Sequence, residues 1–435
     1  MVFQGSREPS PENDSPAGSH TPSRVVAYAT LSQTRTPIDA TQMPHPEHGQ
    51  DDPKRFTQKE RFDVTWNHRL YFSSDTLRHD NEVLAEAIRG EDPESSHHGM
   101  IVVLDAGVAK TNPDLEKDLE NYVKAHRDSL PELRAIHVTP GGEIAKQDPR
   151  LIEEILELIN QHRICRRSTV LVIGGGAVLD SGGYAAAIAH RGVRMVRMPT
   201  TVLSQADSGV GVKNGINRFG KKNFTGTFAP PNAVVCDTDL LKTLDQDEWA
   251  TGFSEIVKIA LLRDRELFER MENDADGIRE RDLTIAIPYI IESARLHLEH
   301  ITRGGDPFEL DEARPLDFGH WSAHKLEQMT DFELRHGDAV SIGIALDSIY
   351  AGMIGVESKD SVERTIRLLE KLGLPIHHPS MDDGRVLLEG LQEFREHLGG
   401  KLTITLVTEP GSSIEVNEIN EKSMLQSIEE LSSRT

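Results

Sequence analysis

The stretch Ser168-Thr169-Val170-Leu171-Val172-Ile173-Gly174-Gly175-Gly176-Ala177-Val178-Leu179-Asp180-Ser181-Gly182-Gly183 decides the fold. Its first part is a short run of β-branched and apolar residues, the composition of a buried strand. That strand runs straight into three glycines and then into helix-compatible sequence. Glycines at such a turn let a diphosphate approach the backbone, and the helix start behind them offers free N–H groups and the positive end of a dipole. The pattern is not a G-x-G-x-x-G, so an ordinary tight strand-to-helix turn is the competing reading.

Working outward, residues 100–105 form an apolar run that ends in Asp105, and helical spacing follows over 115–125. A second strand is expected at 135–139, before Pro140-Gly141-Gly142-Glu143, and a helix at 151–161 leads into the quoted strand. A further strand at 193–198 ends in Pro199-Thr200-Thr201. Apolar strands alternating with helices predict a parallel sheet covered on both faces. Asp105 is placed to accept hydrogen bonds from a ribose, although Asp also commonly ends strands. Residues 204–231 are polar and glycine-rich, with Gln205, Asp207, Ser208, Lys213, Asn214, Asn217, Lys221, Lys222 and Asn223. They read as a loop outside the core, suited to a phosphorylated, hydroxylated ligand or else simply solvated.

From Asp245 onward the spacing is helical, through 247–273, 282–301, 318–330, 337–355 and 359–372, with a stop at Gly373 and Pro375. A helix at 384–397, a strand at 401–407 and a last polar helix complete the chain. Before the sheet, residues 1–58 are rich in Ser, Pro, Asp, Glu, His, Gly and Thr and read as a disordered tail. A short strand at 24–28 interrupts that tail, and a β-hairpin is expected at 60–75. The expected architecture is therefore α/β: a Rossmann-like parallel-sheet domain over 59–244, then a mainly α-helical domain over 245–435, with a ligand cleft between them.

The helical half carries Asp317-Phe318-Gly319-His320-Trp321-Ser322-Ala323-His324, with His336 just behind it. His320 and His324 are four apart and share a helix face. Glu255 stands on another apolar helix. One Glu and two His with a fourth position open is a catalytic zinc arrangement, since a structural site would be closed. Histidines that cluster in core or surface are the alternative, because this spacing also recurs by chance.

Composition excludes several classes. The 435 residues carry a formal net charge of −23, which argues against a nucleic-acid binder and against attraction to anionic membranes. The two cysteines, Cys165 and Cys236, form no C-x-x-C, so neither a disulfide framework nor a thiolate zinc site is expected. No apolar run is long enough to span a membrane, and the N-terminus lacks the apolar core of a signal peptide. A reducing, cytoplasmic location is the expectation.

Taken in order, Gly-Gly-Glu-x-x-Lys at 141–146, Gly-Gly-Gly-x-x-x-Asp at 174–180, Pro-Thr-Thr-x-Leu-x-x-x-Asp-Ser at 199–208, Lys213, Lys222-Asn223, Glu255-x-x-Lys258, Gly319-His320-x-x-x-His324 and His336-Gly337 form a specific combination. With these motifs the chain resembles the dehydroquinate synthase-like sugar-phosphate cyclases, over roughly residues 95–410. The resemblance implies that Glu255, His320 and His336 bind Zn2+ or Co2+. It implies NAD contacts from Asp105, Glu143, Lys146, Gly174, Gly175, Gly176, Asp180, Thr200, Thr201, Leu203, Ser208, Thr243, Leu244 and Glu248. Asp207, Lys213, Lys258 and His324 take catalytic roles, and Lys222, Asn223, Asp317 and Lys401 bind substrate. Arg191 resembles a family arginine that reaches the phosphate across an interface, which implies a homodimer. The implied reaction oxidises a carbinol with NAD, eliminates phosphate, returns the hydride and closes a carbocycle by aldol addition.

One departure bears on substrate. Dehydroquinate synthases carry an Arg, an Asn and an earlier Lys that hold the substrate's carboxylate region. Here Asp317 replaces the Asn, Arg314 is one position off, and Leu298-Glu299-His300 contains no Lys. An Asp near a substrate carboxylate is repulsive. The resemblance is thus closer to the 2-epi-5-epi-valiolone synthase type, which takes sedoheptulose 7-phosphate to a cyclitol. A 3-dehydroquinate synthase, an NAD-dependent metal alcohol dehydrogenase and a non-catalytic relative are the rival readings.

Overall fold

The computed structural model describes residues 58–60, 64–92, 94–304, 308, 315–397 and 400–434. The strand expected at 24–28, the tail over 1–57 and Arg314 lie outside the described residues. In chain order the elements are β1 (Leu70–Ser73), α1 (Val83–Arg89), β2 (Gly99–Asp105), α2 (Ala106–Thr111), α3 (Leu115–Ala125), β3 (Glu132–Thr139), α4 (Ile144–Gln147), α5 (Pro149–Gln161), β4 (Thr169–Gly174), α6 (Gly176–Ile188) and β5 (Arg194–Pro199). There follow β6 (Lys213–Arg218), β7 (Lys221–Phe228), β8 (Ala233–Asp237), α7 (Gln246–Thr251), α8 (Phe253–Arg263), α9 (Arg265–Arg279) and α10 (Leu283–Arg303). The chain ends with α11 (His320–Met329), α12 (His336–Met353), α13 (Lys359–Lys371), α14 (Gly384–His397), β9 (Ile404–Glu409), β10 (Ser412–Val416) and α15 (Glu421–Arg434).

Six strands form a parallel sheet in the order β1-β8-β5-β4-β2-β3. The inner strands β2, β4 and β8 are buried along their whole length because both faces are covered. On one face Met100, Val102 and Leu104 pack with Leu115, Leu119 and Tyr122 of α3. On the other, Ile101 and Val103 pack with Ile152, Ile155 and Ile159 of α5 and Val178 of α6. The register pairs Leu104 with Ile173, Asp105 with Thr139 and Gly174 with Pro199. Asp105, Gly174 and Thr200 therefore arrive at the same carboxyl edge. A third apolar cluster joins α8, α9, α10 and α12 to the last helices. No described helix is long and apolar enough to cross a membrane.

Three sequence expectations need correction. The hairpin at 60–75 is not formed among the described residues: 64–69 carry no strand, and β1 pairs in parallel with β8. Leu70, Tyr71 and Phe72 are all buried, so β1, although it is an edge strand of the sheet, is covered on both faces instead of alternating between core and solvent. β8 itself, five residues after two prolines, went unforeseen. Residues 204–231 are not a loop but a π-helical turn (Ser204–Ser208) followed by the antiparallel β6–β7 hairpin. Several polar groups there are buried against hydrogen-bond partners, carbonyls of the segment above all. The fully buried Arg197 donates to the carbonyls of Gly209 (3.1 Å), Gly211 (2.9 Å) and Lys213 (2.7 Å) and to Asn214 Oδ1 (2.8 Å). Finally, the strand expected at 401–407 begins at Ile404 and pairs with β10, which also went unforeseen.

Candidate active site

The carboxyl edge of the sheet faces α7, α8, α10, α11 and α12 across a cleft of about 1370 Å³. The sheet wall is made of backbone. Asp105 ends β2 and caps α2, its Oδ1 accepting from Gly107 N at 2.7 Å. A Cβ on Gly141 would stand 2.3 Å from that carboxylate, and one on Gly174 would meet Val178 Cβ at 2.9 Å and Asp105 Cβ at 3.0 Å. Gly175 caps the N-terminus of α6. The hydroxyls of Thr200 and Ser208 are buried beside it without a hydrogen-bond partner among the described residues.

The β6–β7 hairpin closes over this wall through side chains. Lys146, buried at the base, binds Asp180 Oδ2 at 2.7 Å and Asn223 Oδ1. Asn217 donates to Glu143 Oε1 at 2.5 Å and accepts from Asn223 N at 2.9 Å. Burial works against the Lys146 charge, but Asp180 and Glu143 outweigh it and raise its pKa.

The facing wall carries the buried carboxylate and the imidazoles. Glu255 stands one turn into α8, His320 opens α11 and His336 opens α12. Both imidazole Nε2 atoms lie 3.5 Å from Glu255 Oε1. His320 Nδ1 faces Phe318 O at 3.0 Å and His336 Nδ1 faces Glu327 Oε2 at 3.1 Å. Lys222 Nζ also stands 3.4 Å from His336 Nδ1. In the tautomer in which each Nδ1–H donates to its facing oxygen, both Nε2 lone pairs are left for a shared ligand. The other oxygen of Glu255 meets Lys258 Nζ at 2.5 Å. Burial opposes the charges of this pair, yet mutual attraction holds Glu255 well below the carboxylate range and Lys258 above the ordinary lysine value. His320 is fixed from behind: Gly319, at φ 75°, has its N–H 3.0 Å from Asp347 Oδ2, and Trp321 Nε1 lies 2.9 Å from Asp347 Oδ1.

His324 lies a turn after His320, their ring centroids 5.5 Å apart, and burial keeps its pKa well below the ordinary value, so it is neutral at pH 7. A second trio, His324, Glu327 and His336, also brings ligand atoms within 4.8 Å of one another. The Lys222 ammonium sits on Glu327, and its charge opposes a cation there.

Of the residues named from sequence, the structure gathers nearly all around the cleft: Asp105, Glu143, Lys146, Gly175, Gly176, Asp180, Thr200, Thr201, Leu203, Asp207, Ser208, Lys213, Lys222, Asn223, Thr243, Leu244, Glu248, Glu255, Lys258, Asp317, His320, His324 and His336 line it. Gly174 lies just beneath the surface. Arg191, exposed on the turn before β5, and Lys401, before β9, do not line it. Among the lining residues not singled out from sequence, three carry titratable side chains close to the trio or to Asp207 and Lys258. His297 on α10 meets Asp207 Oδ1 through Nδ1 at 2.5 Å, and His300 meets Arg263 Nη2 at 3.0 Å. Their signal was the stretch where the resemblance expected a lysine; His297 stands a residue ahead of it. Glu327 is seven after His320 and three after His324, on their helix face.

A cleft with a Glu–His–His trio on one wall and an open backbone cradle on the other is that of an enzyme acting on a small molecule. Residues 136–251 match the family model for the 3-dehydroquinate synthase N-terminal region, and residues 252–393 that for its C-terminal region. The chain belongs to the dehydroquinate synthase family, and it is a sugar-phosphate cyclase of that family. It is 34% identical to a 3-dehydroquinate synthase of Halorhodospira halophila over 279 residues, 64% of this chain and 78% of that protein. It is 30% identical to a 2-epi-5-epi-valiolone synthase of Streptomyces glaucescens over 317 residues, 72% of this chain and 81% of that protein. The solved structure of the 2-epi-5-epi-valiolone synthase ValA from Streptomyces hygroscopicus, with NAD+ and Zn2+ bound, superposes with a TM-score of 0.78 at 26% identity, covering 87% of this chain and all of that one.

Proposed function

We propose that the protein cyclises a neutral-headed ketose phosphate, sedoheptulose 7-phosphate, to a valiolone-type cyclitol, using NAD and Zn2+ or Co2+. The observation that carries the choice of substrate is Asp317. It lines the cleft close enough to Lys258 to support that ammonium's charge, and it would repel a substrate carboxylate. On α10 the stretch that would supply a lysine carries His300 instead, with His297 one residue ahead of it, and both line the cleft.

The residues fit both groups. Two Nε2 atoms and a carboxylate oxygen make a three-donor set with room for a substrate oxygen. Gly141, Gly174 and Gly175, with the unpartnered hydroxyls of Thr200 and Ser208, suit a dinucleotide diphosphate. When bound, NAD supplies the hydride acceptor and donor and the divalent ion supplies Lewis acidity. The chain's own contribution is charge and placement. Lys213 and Lys222 attract the phosphate and stabilise it as it leaves. Lys258 holds Glu255 in position. Neutral His324 is able to accept or donate a proton at a substrate hydroxyl. Asp207, held by His297, orients a hydroxyl by accepting its hydrogen bond. The boundary near residue 244, between sheet-bearing and helical regions, and a homodimer in which Arg191 serves a neighbouring cleft, belong to the same proposal.

A second reading, 3-dehydroquinate synthase, is favoured by the identity to that enzyme from Halorhodospira halophila. Phosphate release with NAD+ and Zn2+ separates the two. Sedoheptulose 7-phosphate, the carboxylated heptulosonate phosphate and glucose 6-phosphate are offered in parallel while NADH is followed. Release from the first alone, without net NADH, is the expected result. Release from the carboxylated substrate returns the chain to the second reading, and steady NADH accumulation would indicate a dehydrogenase.

A further inference from the structure

Glu327 lies on α11, three residues beyond His324, and is only 2% exposed. Its two oxygens have different partners. Oε1 takes the ammonium of Lys222, and Oε2 faces His336 Nδ1 at 3.1 Å. Lys222 belongs to the hairpin strand β7 and His336 opens α12, so one carboxylate ties the anion-binding side of the cleft to the Glu–His–His trio. A carboxylate that accepts from the Nδ1–H of a ligating imidazole fixes its tautomer and raises its basicity. An ammonium on the other oxygen neutralises part of that charge and weakens the carboxylate as an acceptor.

We propose that Glu327 is a positioning residue that couples phosphate binding to metal binding. A phosphate that draws Lys222 toward itself leaves the Glu327 charge undivided on His336, and the divalent ion is held more tightly. Linkage makes the effect reciprocal: a bound ion tightens phosphate by the same factor. The inference rests on the reading of His336 as a metal ligand and Lys222 as a phosphate contact.

The test measures Zn2+ affinity of the full-length protein by chelator competition, with and without inorganic phosphate. It uses wild type, Glu327→Gln, Glu327→Asp and Lys222→Met. In wild type, phosphate should tighten Zn2+ by roughly fivefold or more. Glu327→Gln should weaken Zn2+ by about ten- to a hundred-fold and abolish the phosphate response, with Glu327→Asp recovering part of both. Lys222→Met should also abolish the response yet hold Zn2+ at least as tightly as wild type, and this arm carries the test if Glu327→Gln fails to fold. Unchanged Zn2+ affinity in Glu327→Gln overturns the coupling. So does an undiminished phosphate response in that variant, which would mean direct attraction between phosphate and ion. If His320→Ala leaves Zn2+ binding intact, the metal-ligand reading falls, and this inference with it.

Discussion

The sheet wall of the cleft presents backbone, and the helical wall presents paired charges. At Gly141 and Gly174 the chain is stripped of side chains, and any added Cβ would meet Asp105 or Val178. At Glu255 the chain does the reverse: a carboxylate and an ammonium are buried together at 2.5 Å, with two imidazoles on the other oxygen. A backbone cradle depends on what is absent and tolerates no added volume. A charge cluster depends on completeness, because removing one partner leaves another buried and uncompensated.

The largest effect should come from the charged wall. His320→Ala or Glu255→Gln should lose metal and turnover together, turnover by about 10³-fold or more, as expected when Lewis-acid assistance worth several kcal/mol is removed. Metal analysis beside phosphate release checks this; full zinc and full rate in either variant would remove that residue from the ligand set. On the backbone wall, Gly174→Ala should cost about 1–3 kcal/mol of overpacking and weaken NAD+ binding, with metal content as in the parent. Loss of metal from this variant would show that the walls are not independent. Asp317→Asn sharpens the contrast on the charged side. It should favour the carboxylated substrate over the neutral one by about tenfold, the ratio of kcat/KM being the readout, as for one repulsive contact of about 1.4 kcal/mol removed. The smallest effect lies behind the cleft. Burial raises the Glu357 pKa to about 7 from 4.5, although Ser361 Oγ lies 2.6 Å from its Oε1. Between those values the folded chain keeps a proton that the unfolded chain releases, so stability falls as pH rises through the window. Glu357→Gln should flatten that slope by on the order of 1 kcal/mol, seen as a urea midpoint that changes less between pH 5 and pH 7.

The two walls also differ in how far they can be read from sequence. Glycines at strand ends announce a close approach of backbone, and Gly174 and Gly175 were legible for that reason, whereas Gly141 stood out only as part of a motif. His320 and His336 were legible as a possible metal pair, and Glu255 as its carboxylate, because metal chemistry demands few residue types. Their supports were not. Glu327 looks like one more surface glutamate of an amphipathic helix until the fold delivers Lys222 and His336 to it from other elements. His297 was hidden because its partner, Asp207, is 90 residues away. The hairpin β6–β7 was hidden by the usual equation of polar with exposed, which fails where Arg197 satisfies a row of carbonyls from within.

That buried arginine has a consequence for how substrate arrives. Lys146, Lys222 and Lys258 each meet a carboxylate, whereas the hydrogen-bond partners of Arg197 are neutral oxygens. Burial lowers its pKa only to about 10, so it remains cationic at neutral pH. The residues it binds at Gly211, Lys213 and Asn214 line the cleft, so its charge lies just behind that wall, while the chain as a whole, at −23, repels anions. The two fields have different ranges, since charges separated by more than about 8 Å are largely screened at physiological salt. Moderate salt should therefore silence the repulsion before the attraction, and capture of a sugar phosphate should quicken as ionic strength rises from very low values.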